Sequence, residues 1–266
     1  MSFQFLSSRR EGPVEYLTLN RPDVRNAFNE TVIQEMTAWA EAITDDEDVR
    51  AAVIAGAGPS FCAGADLTWM TRMAAYTHDE NLRDAMAAAK MYALIDRLPI
   101  AVIARIHGAA LGGGAGLAAI CDIVVAEERT IFGFTEVKLG ILPAVVSPYV
   151  LAKIGASAAR ELFLTGMRFD AARAKDIGLV HAVAPADQLD RRVADYVKEI
   201  LSAAPEAIAT AKELLKKVGE RPVQDTIGLT ADTIAARRAS LEGQEGMHAF
   251  LEKRRARWNV LPDPDR

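Results

Sequence analysis

Two glycine-bearing turns constrain this chain more than any other feature: CAGADL at 62–67 and ALGGGAGL at 110–117. Each follows an apolar run typical of a buried strand, at 51–55 and 100–106, and leads into a segment with helical character. A helix start presents backbone N–H groups without partners inside the helix, in front of the positive end of the helix dipole. Two such turns meeting at one point would offer fixed donors to an oxygen that becomes negative during a reaction. The pattern therefore predicts an oxyanion hole and chemistry on a carbonyl.

Composition narrows the class of protein. Half of the 266 residues are hydrophobic and a quarter are charged, as in a soluble globular protein, and the net charge of −5 disfavours nucleic acid or an anionic membrane as partner. The two cysteines, Cys62 and Cys121, lie in apolar surroundings and indicate a reducing compartment. Four scattered histidines give no metal-ligand spacing, so we expect no metal site. No secretion-type leader or membrane span is evident, and we expect a cytoplasmic protein.

The order of apolar patterns predicts an α/β core followed by a helical region. Strand-like runs are found at 14–20, 51–55, 100–106, 122–126 and 130–134, and helical patterns at 30–43 and 67–98. From about residue 147 the pattern is mostly helical, with one short strand near 179–183 and helix breaks near 204–205 and 219–222. We therefore predict a catalytic core at 1–195 and a helical region at 196–266, which needs a surface to pack against, such as another subunit.

Five segments together resemble the crotonase, or enoyl-CoA hydratase/isomerase, family: LNRPDVRNAFN (19–29), FCAGADL (61–67), GAALGGGAGLAAICDIVVA (108–126), FGFTEVKLGILP (132–143) and EGQEGMHAFLEKR (242–254). The resemblance implies a core of repeated ββα units and a helical C-terminal region that builds homotrimers, often paired into hexamers. It also implies an acyl-CoA thioester as substrate, with coenzyme A entering only as part of it and no separate cofactor. By motif position, the backbone N–H groups of Ala65 and Gly113 would hold the thioester oxygen.

The acid–base residues depart from the family pattern. Hydratases of the family typically carry two glutamates; the second is present as Glu136, whereas Gly116 occupies the position of the first. Two carboxylates sharing one water conveniently activate it and deliver a proton to the α-carbon, while one suffices to move a proton between two carbons. Gly116 therefore favours an isomerase, or requires Glu136 to perform both hydratase roles. Burial in an acyl pocket should raise the pKa of Glu136.

A second departure points to a branch of the family. Many members continue with I-P-G-x-G-G-T-Q, whereas this chain has ILPAVVSPYV at 141–150. This resembles hydratases of methylglutaconyl-CoA or isohexenylglutaconyl-CoA, which act in leucine and acyclic-terpene breakdown on branched enoyl-CoAs with a second carboxylate. Ala144 stands where dienoyl-CoA isomerases place an acid, which disfavours that activity. The resulting prediction is a hydratase of a branched 2-enoyl-CoA; the alternatives are a Δ3,Δ2-enoyl-CoA isomerase and a catalytically idle acyl-CoA-binding protein.

The resemblance also assigns substrate contacts by position. Residues of the RPDVRNAF turn would lie along the CoA, residues of CAGADL beside the thioester arm, and two tail residues at the adenine end. Arg25 could equally be solvated, Asp66 could cap a helix, and the two tail residues could pack in a trimer or face solvent. The predicted substrate-binding residues are Val24, Arg25, Ala27, Ala63, Asp66, Leu67, Gly112, Leu139, Ala144, Phe250 and Lys253.

Overall fold

The computed structural model describes residues 3–219 and 221–261 and divides them into two compact units. The first contains residues up to 98 together with 102–194, and the second contains 99–101 together with the described residues from 195 onward. Within the described ranges, no helix combines the length and the apolar character that a bilayer crossing requires. The α/β class expected from the sequence is confirmed.

Every strand of the larger sheet contributes to the buried core. In the described part of the chain it has six strands in the order β1-β2-β3-β4-β6-β9, with β1 and β2 antiparallel and the pairs β2–β3, β4–β6 and β6–β9 parallel. Residues 101–104 of β4 and 51–54 of β3 are all buried, as expected for strands covered on both faces. The strands are β1 Leu6–Glu11, β2 Val14–Leu19, β3 Ala51–Gly56, β4 Ala101–Ile106, β6 Ile123–Glu127 and β9 Ala182–Ala184.

A smaller sheet of three short strands positions the second glycine turn. Its order is β5-β7-β8, with β5 parallel to β7 and β7 antiparallel to β8. The strands are β5 Ala109–Leu111, β7 Ile131–Gly133 and β8 Arg168–Asp170. Since β5 ends at Leu111 and β7 ends at Gly133, this sheet brings the ALGGGAGL turn next to the segment that carries Glu136.

Ten helices are found in the described ranges: α1 Glu30–Thr44, α2 Leu67–Met73, α3 His78–Arg97, α4 Gly113–Ile120, α5 Ser147–Thr165, α6 Ala171–Asp176, α7 Leu189–Ser202, α8 Pro205–Val218, α9 Val223–Ala239 and α10 Leu241–Leu251. Helix α1 buries Met36, Trp39 and Ala40 on one face, while its opposite face is polar. Asn29 begins this helix by accepting a hydrogen bond from the Val32 N–H at 3.0 Å.

The structure departs from the sequence-based elements at five places, two of which are the short strands β5 and β8, which were not expected. The single helix expected over 67–98 is two helices, since Thr77 and Glu80 form a capping box that starts α3 anew. The strand expected near 179–183 is β9, displaced toward the C-terminus. Strand β1 was not expected, because five of its six residues are exposed and its pattern carries no apolar alternation.

Candidate active site

The two glycine turns lie side by side, joined by backbone hydrogen bonds. Cys62 and Ala110 form a parallel bridge in which the Cys62 N–H donates to the Ala109 carbonyl (3.0 Å) and the Leu111 N–H donates to the Cys62 carbonyl (2.9 Å). Cys62 is fully buried, and burial raises the pKa of its thiol to about 12, so the thiol is neutral. The convergence expected from the sequence is therefore present, and Cys62 contributes to it as a packed residue.

The backbone around Ala65 leaves one N–H group free. The Phe28 N–H donates to the Gly64 carbonyl (2.7 Å), and the Asp66 N–H donates to the Phe28 carbonyl (2.8 Å). Both bonds belong to a parallel bridge between Phe28 and Ala65, in which the N–H of Ala65 itself points away from Phe28. Within the described residues this N–H has no acceptor, and Ala65 is exposed.

A second free N–H belongs to Gly113, the first residue of α4. Its N–H has no partner inside the helix, and no other acceptor is found within the part of the chain that the structure describes. The preceding Gly112 has φ of 51°, which favours glycine, and its own N–H donates to the Gly133 carbonyl at 2.8 Å. A helix start whose first N–H groups are unpaired attracts negative charge.

Gly112 lies close to both Glu136 and Gly64. A Cβ placed on Gly112 would lie 3.3 Å from Oε1 of Glu136 and 3.9 Å from Cα of Gly64. Glu136 itself begins a short 3-10 turn, Glu136–Leu139, just after β7. The carboxyl of Glu136 is therefore close to the turn that bears Gly113, at a point that the turn bearing Ala65 also approaches.

The environment of Glu136 suits proton transfer. Its side chain is half-buried, and its Oε2 atom is enclosed with no hydrogen-bond partner among the described residues. Burial raises the pKa of this carboxyl above its ordinary value, while a hydrogen bond from its own backbone N–H partly opposes the rise. A carboxyl with a raised pKa is a stronger base when ionised, and a pKa nearer the working pH suits a group that must take up and later release a proton.

The position of the absent first glutamate is closed by packing. A Cβ placed on Gly116 would lie 2.8 Å from Cβ of Val146 and closer still to its Cγ1. Ordinary carbon–carbon contacts are about 3.5–4.0 Å, so no side chain fits here unless Val146 moves. Val146 is buried just before α5, in the segment that departs from the glycine-rich family pattern.

Two buried aromatic residues that the sequence analysis did not select hold the Gly113 end of the site. The Tyr92 hydroxyl donates to the Gly113 carbonyl at 2.8 Å. The ring of Phe28 lies 3.2 Å from where a Cβ on Gly113 would stand, while its backbone brackets Ala65. Phe28 belongs to the RPDVRNAF motif, directly after Ala27, so the sequence could have indicated its role. No motif in the sequence indicates a role for Tyr92.

Asp66 is committed to contacts within the protein. Its Oδ1 caps α2 by accepting from the N–H groups of Thr68 (2.8 Å) and Trp69 (3.2 Å), and its Oδ2 pairs with Arg21 at 2.8 Å. Although burial alone would raise the pKa of Asp66, the Arg21 hydrogen bond and the two backbone donors hold it below its ordinary value. The capping alternative considered for Asp66 is thus present in the structure, and its carboxylate fixes the turn beside Ala65.

The remaining predicted contacts of the first unit lie in the RPDVRNAF turn, in CAGADL and in the segment that follows Glu136. The Ala63 N–H donates to the Arg25 carbonyl at 3.0 Å, which ties the RPDVRNAF turn to CAGADL. Arg25 has a left-handed backbone with φ of 53° and an exposed side chain. The other predicted residues are exposed Val24, buried Ala27, exposed Leu67, and exposed Leu139 and Ala144 in the segment that follows Glu136.

Two predicted residues lie in the second unit. Phe250 is 82% exposed near the end of α10, and Lys253 follows that helix with φ of 54°. Their role at the adenine end of CoA stays a prediction. Among residues 3–219 and 221–261, no cluster of three or more His, Cys, Asp or Glu side chains could hold a metal ion.

Comparison with known proteins identifies the family of this chain. The enoyl-CoA hydratase/isomerase family model matches residues 9–260. A solved Legionella pneumophila structure, provisionally named enoyl-CoA hydratase/isomerase (crotonase), is 42% identical, covers 97% of this chain and 100% of its own, and has a TM-score of 0.92. An enoyl-CoA hydratase structure from Shewanella pealeana is 38% identical over 96% of both chains with a TM-score of 0.93. The short-chain-enoyl-CoA hydratase of Clostridium acetobutylicum is 31% identical, covering 92% of this chain and 94% of its own. The chain is an enzyme that belongs to the enoyl-CoA hydratase/isomerase family.

Proposed function

We propose that this enzyme adds water to the double bond of a branched 2-enoyl-CoA whose acyl group can carry a second carboxylate, as in methylglutaconyl-CoA. The observation that carries the proposal is the carboxyl of Glu136 beside Gly112, close to the two turns that bear the free N–H groups of Ala65 and Gly113. The names of the Shewanella and Clostridium relatives favour hydration. The segment at 141–150 favours the branched, carboxylated substrate, and leucine breakdown is the corresponding role.

In the proposed reaction the N–H groups of Ala65 and Gly113 donate to the thioester oxygen. Glu136, ionised, takes a proton from a water molecule while the water oxygen bonds to the β-carbon. The electron pair of the double bond moves toward the thioester, and the resulting enolate oxygen is stabilised by the two donors. Glu136 then returns its proton to the α-carbon, so that one water has been added and the carboxylate is restored.

One carboxylate must serve both steps, because residue 116 is glycine and Val146 occupies the space that a side chain there would need. The raised pKa of Glu136 is useful here: a weaker acid is a better acceptor for the water proton, and the same group must release that proton in the second step. The reaction requires no cofactor other than the CoA that the substrate carries.

The same constellation favours a second candidate, Δ3,Δ2-enoyl-CoA isomerisation. A single carboxyl can remove a proton from the α-carbon of the 3-enoyl thioester and return it to the γ-carbon through a dienolate held by the same two donors, without water. The closed position at Gly116 is the observation that supports this alternative. A third outcome is an acyl-CoA-binding protein without turnover, which the retained Glu136 disfavours.

Product analysis distinguishes the three. Purified protein is incubated with 3-methylglutaconyl-CoA, crotonyl-CoA and trans-3-hexenoyl-CoA, and the thioesters are followed by mass spectrometry, with a Glu136→Gln variant as the control. A gain of one water, fastest on the first substrate and lost in the variant, supports the proposal. Conversion of the 3-enoyl thioester without a change in mass makes the enzyme an isomerase. Binding of all three without conversion supports the third reading.

The proposal extends to a homotrimer or a dimer of trimers as the working form. Large apolar side chains of α10, Leu241, Phe250 and Leu251, are strongly exposed in the single chain, and exposed apolar surface of this kind is typical of interfaces. Light scattering coupled to size-exclusion chromatography should give three or six times the protomer mass. A monomer at assay concentration would contradict this part of the proposal.

A further inference from the structure

Tyr92 is a buried tyrosine of α3, 3% exposed, that the proposed reaction does not use directly. Its hydroxyl donates to the carbonyl of Gly113 at 2.8 Å, and would lie 2.9 Å from a Cβ placed on that residue. It is the one side chain in the described ranges that hydrogen-bonds to the glycine run 112–114. The bond therefore attaches α3 to the residue whose N–H is the proposed donor.

The glycine run needs such an attachment. Three consecutive glycines have wide backbone freedom, and a helix start is held by fewer internal bonds than a helix centre. Gly112 is fixed through its N–H to Gly133, and Phe28 limits Gly113 on one side by contact. Tyr92 adds a hydrogen bond to Gly113 itself. A hydrogen bond has a preferred direction, whereas the packing contact with the Phe28 ring has none.

The Tyr92 hydroxyl remains a donor under assay conditions. Burial raises its pKa well above the ordinary value, and the negative charges that Cys62 and Glu136 can carry raise it further. Its neutral form thus persists when Glu136 ionises. The hydroxyl and the carboxyl of Glu136 contact adjacent residues, Gly113 and Gly112, on the same turn.

We propose that Tyr92 is a positioning residue that aims the Gly113 N–H at the thioester oxygen. The inference rests on the proposed oxyanion role of Gly113. A misaligned donor loses more in the enolate-like transition state than in the bound substrate, because the oxygen carries more charge there. The loss should therefore affect kcat and leave KM nearly unchanged.

The kinetic test compares Tyr92→Phe with Tyr149→Phe. Both remove one tyrosine oxygen, and the two rings are neighbours with centroids 6.5 Å apart, but only Tyr92 contacts Gly113. We expect about a tenfold lower kcat for Tyr92→Phe, with KM within about twofold, and wild-type kinetics for Tyr149→Phe. An unchanged kcat in Tyr92→Phe, or an equal loss in both variants, would refute the positioning role.

A binding measurement separates this inference from the proposed function. The probe is a conjugated aryl-enoyl thioester of CoA, whose absorption moves to longer wavelength when its carbonyl is polarised. We expect a red shift with the wild type and a smaller shift with Tyr92→Phe at saturation. If the wild type binds the probe without a shift, the oxyanion hole itself is wrong; if both give the same shift, only the role of Tyr92 is wrong. The band position reports folded, bound protein, so partial unfolding changes amplitude but not wavelength.

Discussion

The effect of Gly116→Ala on stability should depend on the side chain at position 146. The substitution should destabilise the protein when residue 146 is valine and stabilise it when residue 146 is glycine. In the wild-type background the new methyl would lie 2.8 Å from Cβ of Val146, about an ångström inside ordinary contact. Overpacking of this kind costs about 1–3 kcal/mol, while Gly→Ala within a helix returns about 1 kcal/mol. Gly116→Ala alone should therefore lower the free energy of unfolding by about 0–2 kcal/mol.

Val146→Gly removes every neighbour closer than 3.4 Å to that methyl, so in this background Gly116→Ala should stabilise by about 1 kcal/mol. The assay is urea unfolding of all four proteins at one protomer concentration, since self-association would otherwise shift the midpoint. The double-mutant cycle then yields a coupling of about 1–3 kcal/mol, the overpacking term alone. Equal stabilisation by alanine in both backgrounds would show that Val146 does not fill the space beside residue 116. A side chain could then be accommodated at position 116 without moving Val146.

The other predictions concern Glu136 and Asp66. Glu136→Gln should lower kcat by about 10²–10⁴-fold with little change in KM. In the wild type, kcat/KM should rise with pH through a pKa above 4.5. A pH-independent kcat/KM would exclude Glu136 as the base. Because the folded-state pKa of Glu136 is raised, ionisation of this carboxyl removes stability as the pH rises through that pKa. Glu136→Gln should therefore have a higher melting temperature than wild type at neutral pH, but not well below pH 4.5. Calorimetry at both pH values tests this. Asp66→Ala should cost about 1 kcal/mol or more by removing the α2 cap, as measured by urea unfolding, with Asp23→Ala in an exposed turn as the control. Since the pKa of Asp66 is lowered, its contribution should disappear as pH falls below 3.8; a pH-independent loss would contradict the ion pair with Arg21.

The parts of the fold that could be predicted are those in which local pattern and tertiary environment agree. Strand β2 and helix α1 end within one residue of their expected limits, because each carries a clear period of buried apolar residues. Strand β1 could not be found by pattern, since SSRRE at 7–11 is polar and its pairing depends on β2. The break before α3 was readable: Thr77 and Glu80 have the spacing of a capping box.

The site divides in a similar way. The donors at Ala65 and Gly113 and the carboxyl of Glu136 depend on backbone turns, whose glycines are visible in the sequence. Phe28 and Tyr92 act through contacts with distant segments, and nothing in the local sequence of α3 marks one tyrosine as the partner of Gly113. The substrate contact predicted for Asp66 stays a prediction; in the structure its carboxylate binds Arg21, a residue that sequence reasoning did not select.

The two departures from the family pattern are linked by packing. Taken separately, Gly116 means that the first glutamate of the family pattern is absent, and ILPAVVSPYV indicates one branch of the family. In the structure Val146, which stands at a glycine of the I-P-G-x-G-G-T-Q pattern, fills the space that a side chain at 116 would need. Where the family pattern has a glutamate and a glycine, this chain has Gly116 and Val146, so one carboxylate is absent and a valine side chain fills the space beside position 116. Neither change can be reversed alone without a clash or a void, and for this reason we attribute the single-carboxylate chemistry to the pair.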